Sequence, residues 1–351
     1  MLRRLSQAPL LIAPAHFLTS SGFAVNVTME YNYLVMRKSI LLLVVFLAFL
    51  CGCECLDEQG KQWRQPNGKL KVLTTIAMIE DLAGQVGGEY VDALSLIRGE
   101  LDPHSYELVK GDEEKFLQAD LIFYNGLGLE HGASLRKQLD KNSKAIAVTA
   151  PILEADPPLI LELDGQIDPH VWMDIALWMR TLDPIVEALV QADPAHASFY
   201  RERGKKVLQE MMEADQTVFQ VMQKIPPEKR YMVTSHDAFH YFTRHYLSER
   251  GEEDWESRCA APEGLAPEAE MSVRDVMEIL AHIERFGVTV LFPESNVSKD
   301  GLRKILHASQ AKGREVRLCH DPLYGDSMGE AVSYLEMIGH NADILSRELS
   351  R

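Results

Sequence analysis

Two copies of one tripeptide, Asp102-Pro103-His104 and Asp168-Pro169-His170, have the residue types and spacing that could do chemistry. Each copy lies where an extended or apolar run gives way to a loop. Because proline fixes its own φ and pushes the preceding residue out of the helical region, the backbone before each histidine is stiff and the imidazole is aimed. A single Asp-Pro-His is most often an ordinary turn. Two copies favour a metal site, since neutral imidazole is the commonest metal ligand.

Further candidate ligands follow strands in the second half of the chain. His236 comes directly after an apolar run, and Asp321 and Asp326 follow the last predicted strand. Because open α/β sheets bind ligands at the carboxyl ends of their strands, we expect these side chains to meet the two earlier histidines in a cleft between the halves. Three imidazoles and one carboxylate would suit Zn²⁺, Mn²⁺ or Fe²⁺.

The elements that must position these side chains alternate between strand and helix. Helical periodicity separates the strands, and this alternation is typical of parallel βα units. The segment 155–166 is predicted to be a loop, and Ser235 is predicted to cap a helix that contains His236. The predicted strands are 70–76, 90–97, 119–124, 145–148, 230–234, 258–261, 288–292 and 315–318.

One long helix is predicted in the middle of the chain. The segment from about 195 to 224 has no internal proline, and Pro226-Pro227 ends it. At 1.5 Å per residue this helix is roughly 45 Å long. We therefore expect an α/β protein of two lobes, 69–194 and 226–351, each with a parallel sheet flanked by helices, joined by one long rigid backbone helix at 195–225.

The N-terminus has the pattern of an export signal. A basic segment at 36–39 precedes the apolar run 40–50, which at about 16 Å as a helix is too short to span a bilayer comfortably. Gly52-Cys53 follows, so 36–52 is predicted to be a lipoprotein signal peptide, with cleavage before Cys53 and a lipid on its thiol. An ordinary secretory signal and a membrane anchor are the alternatives. Residues 1–35 are interpreted as an extension from an over-early start codon, and 53–68 as a tether.

Composition narrows the class of protein further. The 351 residues are 46% hydrophobic and 25% charged, which is typical of a globular protein of about two domains. The formal net charge of −16 disfavours nucleic acid as a partner. In an exported protein Cys259 and Cys319 could form a disulfide, with free buried thiols as the alternative.

Six segments together resemble TroA-like proteins, the metal-binding solute-binding subunits of bacterial ABC importers for zinc, manganese or iron. The resemblance runs from about residue 70 to 349. The segments are Asp102-Pro103-His104-Ser105-Tyr106-Glu107, Asp168-Pro169-His170-Val171-Trp172-Met173-Asp174, Thr234-Ser235-His236-Asp237-Ala238-Phe239, Ala261-Pro262-Glu263-Gly264, Phe292-Pro293-Glu294-Ser295 and Tyr324-Gly325-Asp326-Ser327.

The resemblance implies a buried site between the lobes, with His104, His170, His236 and Asp326 as metal ligands. Asp321 is the alternative fourth ligand, because some zinc-type members have Asp-Pro-Leu in that region. The implied function is capture of one divalent transition-metal ion, Zn²⁺, Mn²⁺ or Fe²⁺, as cargo. A lipid-anchored, periplasmic or cell-surface monomer would deliver the ion to a membrane permease.

Two other functions would fit parts of this pattern. A zinc-dependent hydrolase would need an open coordination position and a general base. The segment His236-Asp237-Ala238-Phe239-His240 matches His-Glu-x-x-His only in its histidines, so we do not expect an enzyme. A surface adhesin would not require the four ligands.

Residues near these motifs have predicted roles of their own. His240 is interpreted as a packed or solvated histidine, with a hydrogen-bonding role behind His236 as the alternative. His131 could approach the cleft. Glu294 is expected to be a structural hydrogen-bonding residue, with a place in the lining of the site as the alternative. The segment 151–168 contains no histidine, so the histidine-rich loop of dedicated zinc carriers is missing.

Overall fold

The computed structural model describes residues 59–163, 165–267 and 271–351, and Trp63–Arg351 forms one compact unit. The predicted upstream extension, signal peptide, lipidated Cys53 and first residues of the tether lie outside the described residues. Within these ranges no helix is both long enough and apolar enough to cross a bilayer.

The first half of the compact unit contains a four-stranded parallel sheet. Its elements are β1 (Leu70–Thr74), α1 (Ala77–Gly87), β2 (Val91–Ser95), α2 (Asp112–Gln118), β3 (Leu121–Tyr124), α3 (Ala133–Lys141), β4 (Ala145–Ala147) and α4 (Ala150–Ala155). The strand order is β2-β1-β3-β4, and Val72 of the central strand pairs with Ala93 and Leu121. Four of the five residues of β1 are buried, because helices cover both faces of such a sheet.

A short hairpin replaces the loop expected at 155–166. Strands β5 (Glu162–Leu163) and β6 (Gln166–Ile167) pair antiparallel, and β6 leads directly into the second Asp-Pro-His. The prediction of a plain loop was therefore wrong. Two residues per strand are too few to produce an alternating pattern that the sequence could reveal.

The long helix is shorter than expected by a few residues and is part of the core. After α5 (Ile175–Trp178) and α6 (Leu182–Ala192), helix α7 runs over Ala197–Gln223, 27 residues. Its side chains Tyr200, Val207 and Met211 belong to the largest buried hydrophobic cluster. The helix therefore also stabilises the protein through packing along its length. The lobe boundaries at 194 and 226 remain a prediction.

The second half repeats the strand order with shorter strands. Its elements are β7 (Met232–Val233), α8 (His240–Phe242), β8 (Cys259–Ala260), α9 (Val273–Phe286), β9 (Val290–Leu291), α10 (Asp300–Ala311), β10 (Arg317–Leu318) and α11 (Tyr334–Leu349). Strands β7 and β8 pair parallel, as do β9 and β10. The Phe292 amide donates to the Val233 carbonyl (2.8 Å) and links the two pairs in the order β8-β7-β9-β10. Both halves thus have the α/β organisation with parallel strands that the sequence predicted.

The helix after β7 begins later than the sequence predicted. Helix α8 starts at His240 and continues as a π-helical turn over Thr243–Leu247. Ser235 is not its cap, because its hydroxyl accepts a hydrogen bond from the Glu294 amide (3.2 Å) instead. His236 therefore lies on a loop, and it does not share a helix with His240.

The two cysteines within the described ranges are buried and free. Cys259 lies in β8 and Cys319 directly follows β10. The structure therefore has free buried thiols and not a disulfide between these two cysteines.

Candidate metal site

The four residues expected to bind metal meet between the two halves. His104 follows β2, His170 follows the β5–β6 hairpin, His236 follows β7 and Asp326 follows β10. All four are buried. Each half therefore contributes two side chains from the carboxyl ends of its strands, which is where an open α/β sheet places ligands.

Both Asp-Pro-His segments fold into the same local turn. The Asp102 carboxylate accepts a hydrogen bond from the His104 amide (2.8 Å), and the Asp168 carboxylate accepts one from the His170 amide (2.9 Å). An aspartate that bonds the backbone two residues later stabilises a tight turn. The aspartate and the proline thus fix the direction of each histidine together.

The nitrogen and oxygen atoms of these side chains converge on one point. His104 Nε2 lies 3.2 Å from His170 Nε2 and 3.7 Å from Asp326 Oδ2. Asp326 Oδ1 is 3.3 Å from His170 Nε2, and Asp326 Oδ2 is 3.1 Å from His236 Nε2. Donors at about 2.1 Å from a tetrahedral ion are roughly 3.4 Å apart. The observed separations match that requirement, so one ion fits among the four side chains.

Two carboxylates contact the Nδ1 atoms of His170 and His236 and so orient the Nε2 atoms of these rings toward this point. His170 Nδ1 donates to Asp168 Oδ1 (2.7 Å), and His236 Nδ1 lies 2.7 Å from Glu294 Oε2. Glu294 Oε1 also accepts hydrogen bonds from the amides of Ser235 (3.0 Å) and His236 (2.9 Å). Such partners fix the tautomer and orientation of a metal-binding histidine.

Gly325 allows the aspartate loop to approach closely. A Cβ atom at this position would collide with the Glu294 carboxylate and lie 3.4 Å from His236 Cε1. The Gly325 carbonyl accepts a hydrogen bond from Trp172 Nε1 (3.0 Å), which ties the loop to the segment that carries His170. Asp326 is therefore held in place from both halves.

Burial and neighbouring charges together set the protonation of the four side chains. Burial lowers the pKa of His104 to about 3, so this imidazole is neutral. Burial also acts to lower the pKa of His170, but Asp168 and Asp326 outweigh it and raise the pKa to about 9. For His236, burial is outweighed by Glu294 and Asp326, which raise the pKa well above its ordinary value. Burial acts to raise the pKa of Asp326, but the charges of His236 and His170 hold it well below its usual range.

The other residues singled out from the sequence lie outside the donor set. Asp321 is at the surface, where its carboxylate accepts from Arg347 Nη2 (2.5 Å). His240 is buried with its ring 6.5 Å from that of Trp255. His131 does approach the site, with its ring centroid 5.7 Å from that of His104. Glu294 makes the structural hydrogen bonds expected of it and also lies 2.7 Å from His236 Nδ1.

A second cluster of metal-binding residue types lies beside the long helix. Asp174, Asp215 and His245 place ligand atoms within 4.8 Å of one another. His245 Nε2 is 2.9 Å from Asp215 Oδ1, and Asp215 also accepts from the Tyr246 hydroxyl (2.7 Å). The Asp174 carboxylate accepts from the Leu177 amide (3.1 Å). The bonds of Asp215 therefore join α7 to the π-helical turn, and Asp174, 3.8 Å from His245 Nδ1, brings the start of α5 beside them.

The chain is similar to known metal-binding proteins over most of its length. The family model of the zinc-uptake complex component A, periplasmic (ZnuA), matches residues 72–348. Metal-binding protein YtgA of Chlamydia muridarum is 39% identical over 308 residues, which are 86% of this chain and 94% of that protein. Manganese-binding lipoprotein MntA of Bacillus subtilis is 31% identical over 322 residues, 90% of this chain and 100% of that protein.

A solved structure of similar sequence has the same fold. The crystal structure of Fe(III)-bound YtgA from Chlamydia trachomatis aligns with a TM-score of 0.76 at 39% identity. The alignment covers 80% of this chain and 98% of that one. All four buried donors fall within residues 72–348, the segment that the family model matches.

Proposed function

Because the chain belongs to the ZnuA family of periplasmic zinc-uptake components, we propose that it captures a transition-metal ion outside the cytoplasm and delivers it to the permease of an ABC importer. The observation that carries the proposal is the convergence of His104, His170, His236 and Asp326 in one buried cluster. Similarity to YtgA, MntA and TroA supports it, since these proteins are named for metal binding.

The four side chains would replace the hydration shell of the ion. Three imidazole nitrogens and one carboxylate oxygen are already at separations that a single ion requires. Asp168 and Glu294 hold two of the imidazoles in place, so little rearrangement is needed on binding. Release would require the two halves to separate at the site, which we assign to contact with the permease.

We propose Zn²⁺, Mn²⁺ or Fe²⁺ as the cargo, because a set of three imidazoles and one carboxylate suits all three. The relatives carry different metals in their names. MntA is manganese-binding, TroA is zinc-binding, and the YtgA of Chlamydia trachomatis was crystallised with Fe(III). Competition between these ions for the purified protein ranks them directly.

A membrane-anchored monomer is the form in which we propose that the protein acts. MntA is named a lipoprotein, and Gly52-Cys53 after the apolar run supports a lipid on Cys53 of this chain. One chain supplies all four donors of the site, so a second copy is not needed to complete it.

The hydrolase alternative is disfavoured by the geometry of the donor set. A catalytic zinc site usually has three protein ligands and an open position for water. Here a fourth protein donor, Asp326, lies among the three imidazoles, and all four side chains are buried. His240 is packed near Trp255, so it does not form a His-x-x-x-His pair with His236.

Two aspartates five residues apart offer a matched test of the proposal. We expect Asp326→Asn to lose most of the bound metal, because the amide removes the only negative charge among the four proposed ligands. Asp321→Asn should bind as the wild type does, since Asp321 contacts Arg347 at the surface. Metal content after dialysis, measured by plasma mass spectrometry, decides between them. Equal retention by both variants would contradict the proposed site and would favour the adhesin alternative.

A further inference from the structure

The buried donor set opens to solvent on the side of His104. A cavity of about 430 Å³ lies there, lined by His104 and His131 together with largely apolar residues that include Leu127, Ile167 and Leu265. His104 is the one inner donor that lines this cavity, and its side chain is 2% exposed, against 0% for the side chains of His170, His236 and Asp326. An ion that enters through this cavity would therefore meet His104 first.

Backbone contacts hold His131 against His104. The amide of Gly132, the next residue, donates to the His104 carbonyl (3.1 Å). A Cβ atom on Gly132 would collide with the Tyr106 carbonyl oxygen, so only glycine permits this approach. His131 itself is exposed, with Nδ1 3.4 Å from the Gly128 carbonyl oxygen.

The loop before His131 is built to hold this position. Leu127 has φ of 56°, the only positive value of a non-glycine residue in the described ranges, and it lies between two glycines that also have positive φ. The Glu130 carboxylate secures the loop by accepting from the Asn125 amide (2.8 Å) and the Thr75 hydroxyl (2.7 Å). Strained backbone that the surrounding contacts maintain is concentrated at functional sites.

The spacing of the two rings matches that of imidazoles that would share an ion. The ring centroids of His104 and His131 are 5.7 Å apart. Within the buried set the corresponding separations are 5.2 Å for His104 and His170, 5.3 Å for His170 and His236, and 6.3 Å for His104 and His236. His104 is therefore placed between two positions for an ion, one beside His131 in the cavity and one among the buried donors.

We propose that His131 and His104 form an outer metal-binding site at the mouth of the cleft, where the incoming ion is first held before it passes to the buried donors. The inference rests on the proposed function as a metal carrier. It assigns His131 a part in the rate of capture and release. His131 would not be a ligand in the final complex.

The test is the kinetics of Zn²⁺ binding in a His131→Gln variant. Stopped-flow mixing of Zn²⁺ with the metal-free protein can be followed by tryptophan fluorescence, because the Trp172 ring is 5.2 Å from the His170 ring. We expect association to slow by roughly tenfold, as loss of one transient ligand raises the barrier. Dissociation should slow by the same factor, so that Kd changes less than about twofold. His307→Gln, which removes an exposed histidine on α10, is the matched control.

Distinct outcomes separate this inference from the proposed function. Wild-type protein that binds no Zn²⁺ would overturn both. Tight binding by the wild type with an unchanged association rate in His131→Gln would overturn only the outer site. A large rise in Kd with an unchanged association rate would also overturn it, because His131 would then be a ligand of the final complex.

A second measurement locates the outer site directly. In a His170→Ala/His236→Ala/Asp326→Asn variant only His104 of the inner set remains, beside His131. Mn²⁺ added to this variant should broaden the NMR signals of the His104 and His131 rings together and leave that of His307 sharp. If neither the His104 nor the His131 signal broadens, the outer site is contradicted.

Discussion

Two carboxylates outside the donor set, Asp168 and Glu294, determine how His170 and His236 present their inner nitrogens. Both are completely buried, with 0% of their surface exposed. Asp168 is part of the repeated tripeptide, whereas Glu294 comes from the loop after β9 in the other half. Glu294 also accepts two backbone amides, so it fixes the loop and the ring of His236 together.

Replacing Glu294 with glutamine should weaken metal binding while the protein stays folded. The amide can still accept one hydrogen bond, but it loses the charge that favours the correct His236 tautomer. Loss of such a partner typically costs about 10- to 100-fold in metal affinity. Competition with a chromophoric chelator measures the change, and Glu210→Gln on the exposed face of α7 is the control. Unchanged affinity in Glu294→Gln would show that His236 needs no such support.

Metal binding should release protons at neutral pH. In the metal-free protein the pKa of His170 is about 9 and that of His236 lies well above its ordinary value, whereas His104 is already neutral. Since only neutral imidazole binds metal, about two protons should leave on binding at pH 7.5. The apparent affinity should rise with pH up to about 9.

Calorimetric titration in buffers of different ionisation enthalpy counts these protons. Release of no protons at pH 7.5 would contradict the charge state described for the metal-free site.

Some residues of the site could be predicted from the sequence, and others could not. His104 and His170 could be found because proline and aspartate mark the turns that aim them. The contact between Glu294 and His236 could not be found, because 58 positions separate the two residues and only the packing of β7 beside β9 brings them together. Likewise, the choice between Asp321 and Asp326 depends on a loop whose path is set by Asn341 of the last helix.

At the scale of elements, buried hydroxyl groups connect the segments that carry the proposed ligands. The Tyr241 hydroxyl donates to the Asp168 carbonyl (2.9 Å), and it accepts from the Leu161 amide (2.9 Å). The Tyr334 hydroxyl of α11 donates to the Trp172 carbonyl (2.6 Å). Helices α8 and α11 therefore hold the His170 segment in place from the second half of the chain.

The pair of Asp215 on α7 and His245 on the π-helical turn should make a pH-dependent contribution to stability. Burial acts to lower the pKa of His245, but the bond to Asp215 and the charge of Asp174 outweigh it and raise the pKa; the nearby Arg244 opposes this rise. A raised native pKa stabilises the folded state fully below the unfolded pKa of about 6.5 and loses that effect as pH rises through the native value.

Asp215→Asn should therefore lower the free energy of unfolding by about 1–2 kcal/mol at pH 6 and by less at pH 9. Denaturant titration at both pH values measures the difference, with Glu213→Gln on the same helix as the control. A loss of equal size at pH 6 and pH 9 would contradict an ionic contribution from this pair.

Helix starts could be predicted where a local signal decides them and could not where a distant contact does. Helix α9 begins at the capping box of Ser272 and Asp275, a local signal that the sequence displays. The predicted start of α8 was wrong because the hydroxyl of Ser235, a good capping residue, accepts a hydrogen bond from the Glu294 amide in the loop after β9. The second-half strands are two residues long, since the chain leaves the sheet early to form the loops at the site.

For the whole molecule, the main hydrophobic cluster extends from Val72 of β1 through Met211 of α7 to Leu345 of α11. The two halves therefore share one core along the long helix. Because a shared core opposes wide separation of the halves, we expect only small movements of the halves around the long helix.

This continuity predicts that the compact unit unfolds in one transition. Calorimetry of the metal-free protein should show a single peak whose calorimetric and van't Hoff enthalpies agree. Saturating metal should raise the Tm, since an ion at 1,000 times its Kd adds about 4 kcal/mol of stability. Two separated peaks, with only one shifted by metal, would contradict the shared core.

The most direct test of the central claim is the metal content of the purified protein. Plasma mass spectrometry of the wild type and of His170→Ala should find about one equivalent of a transition metal in the wild type and almost none in the variant. A wild type that is empty and gains no thermal stability from Zn²⁺, Mn²⁺ or Fe²⁺ would contradict the account. So would a variant that retains the ion.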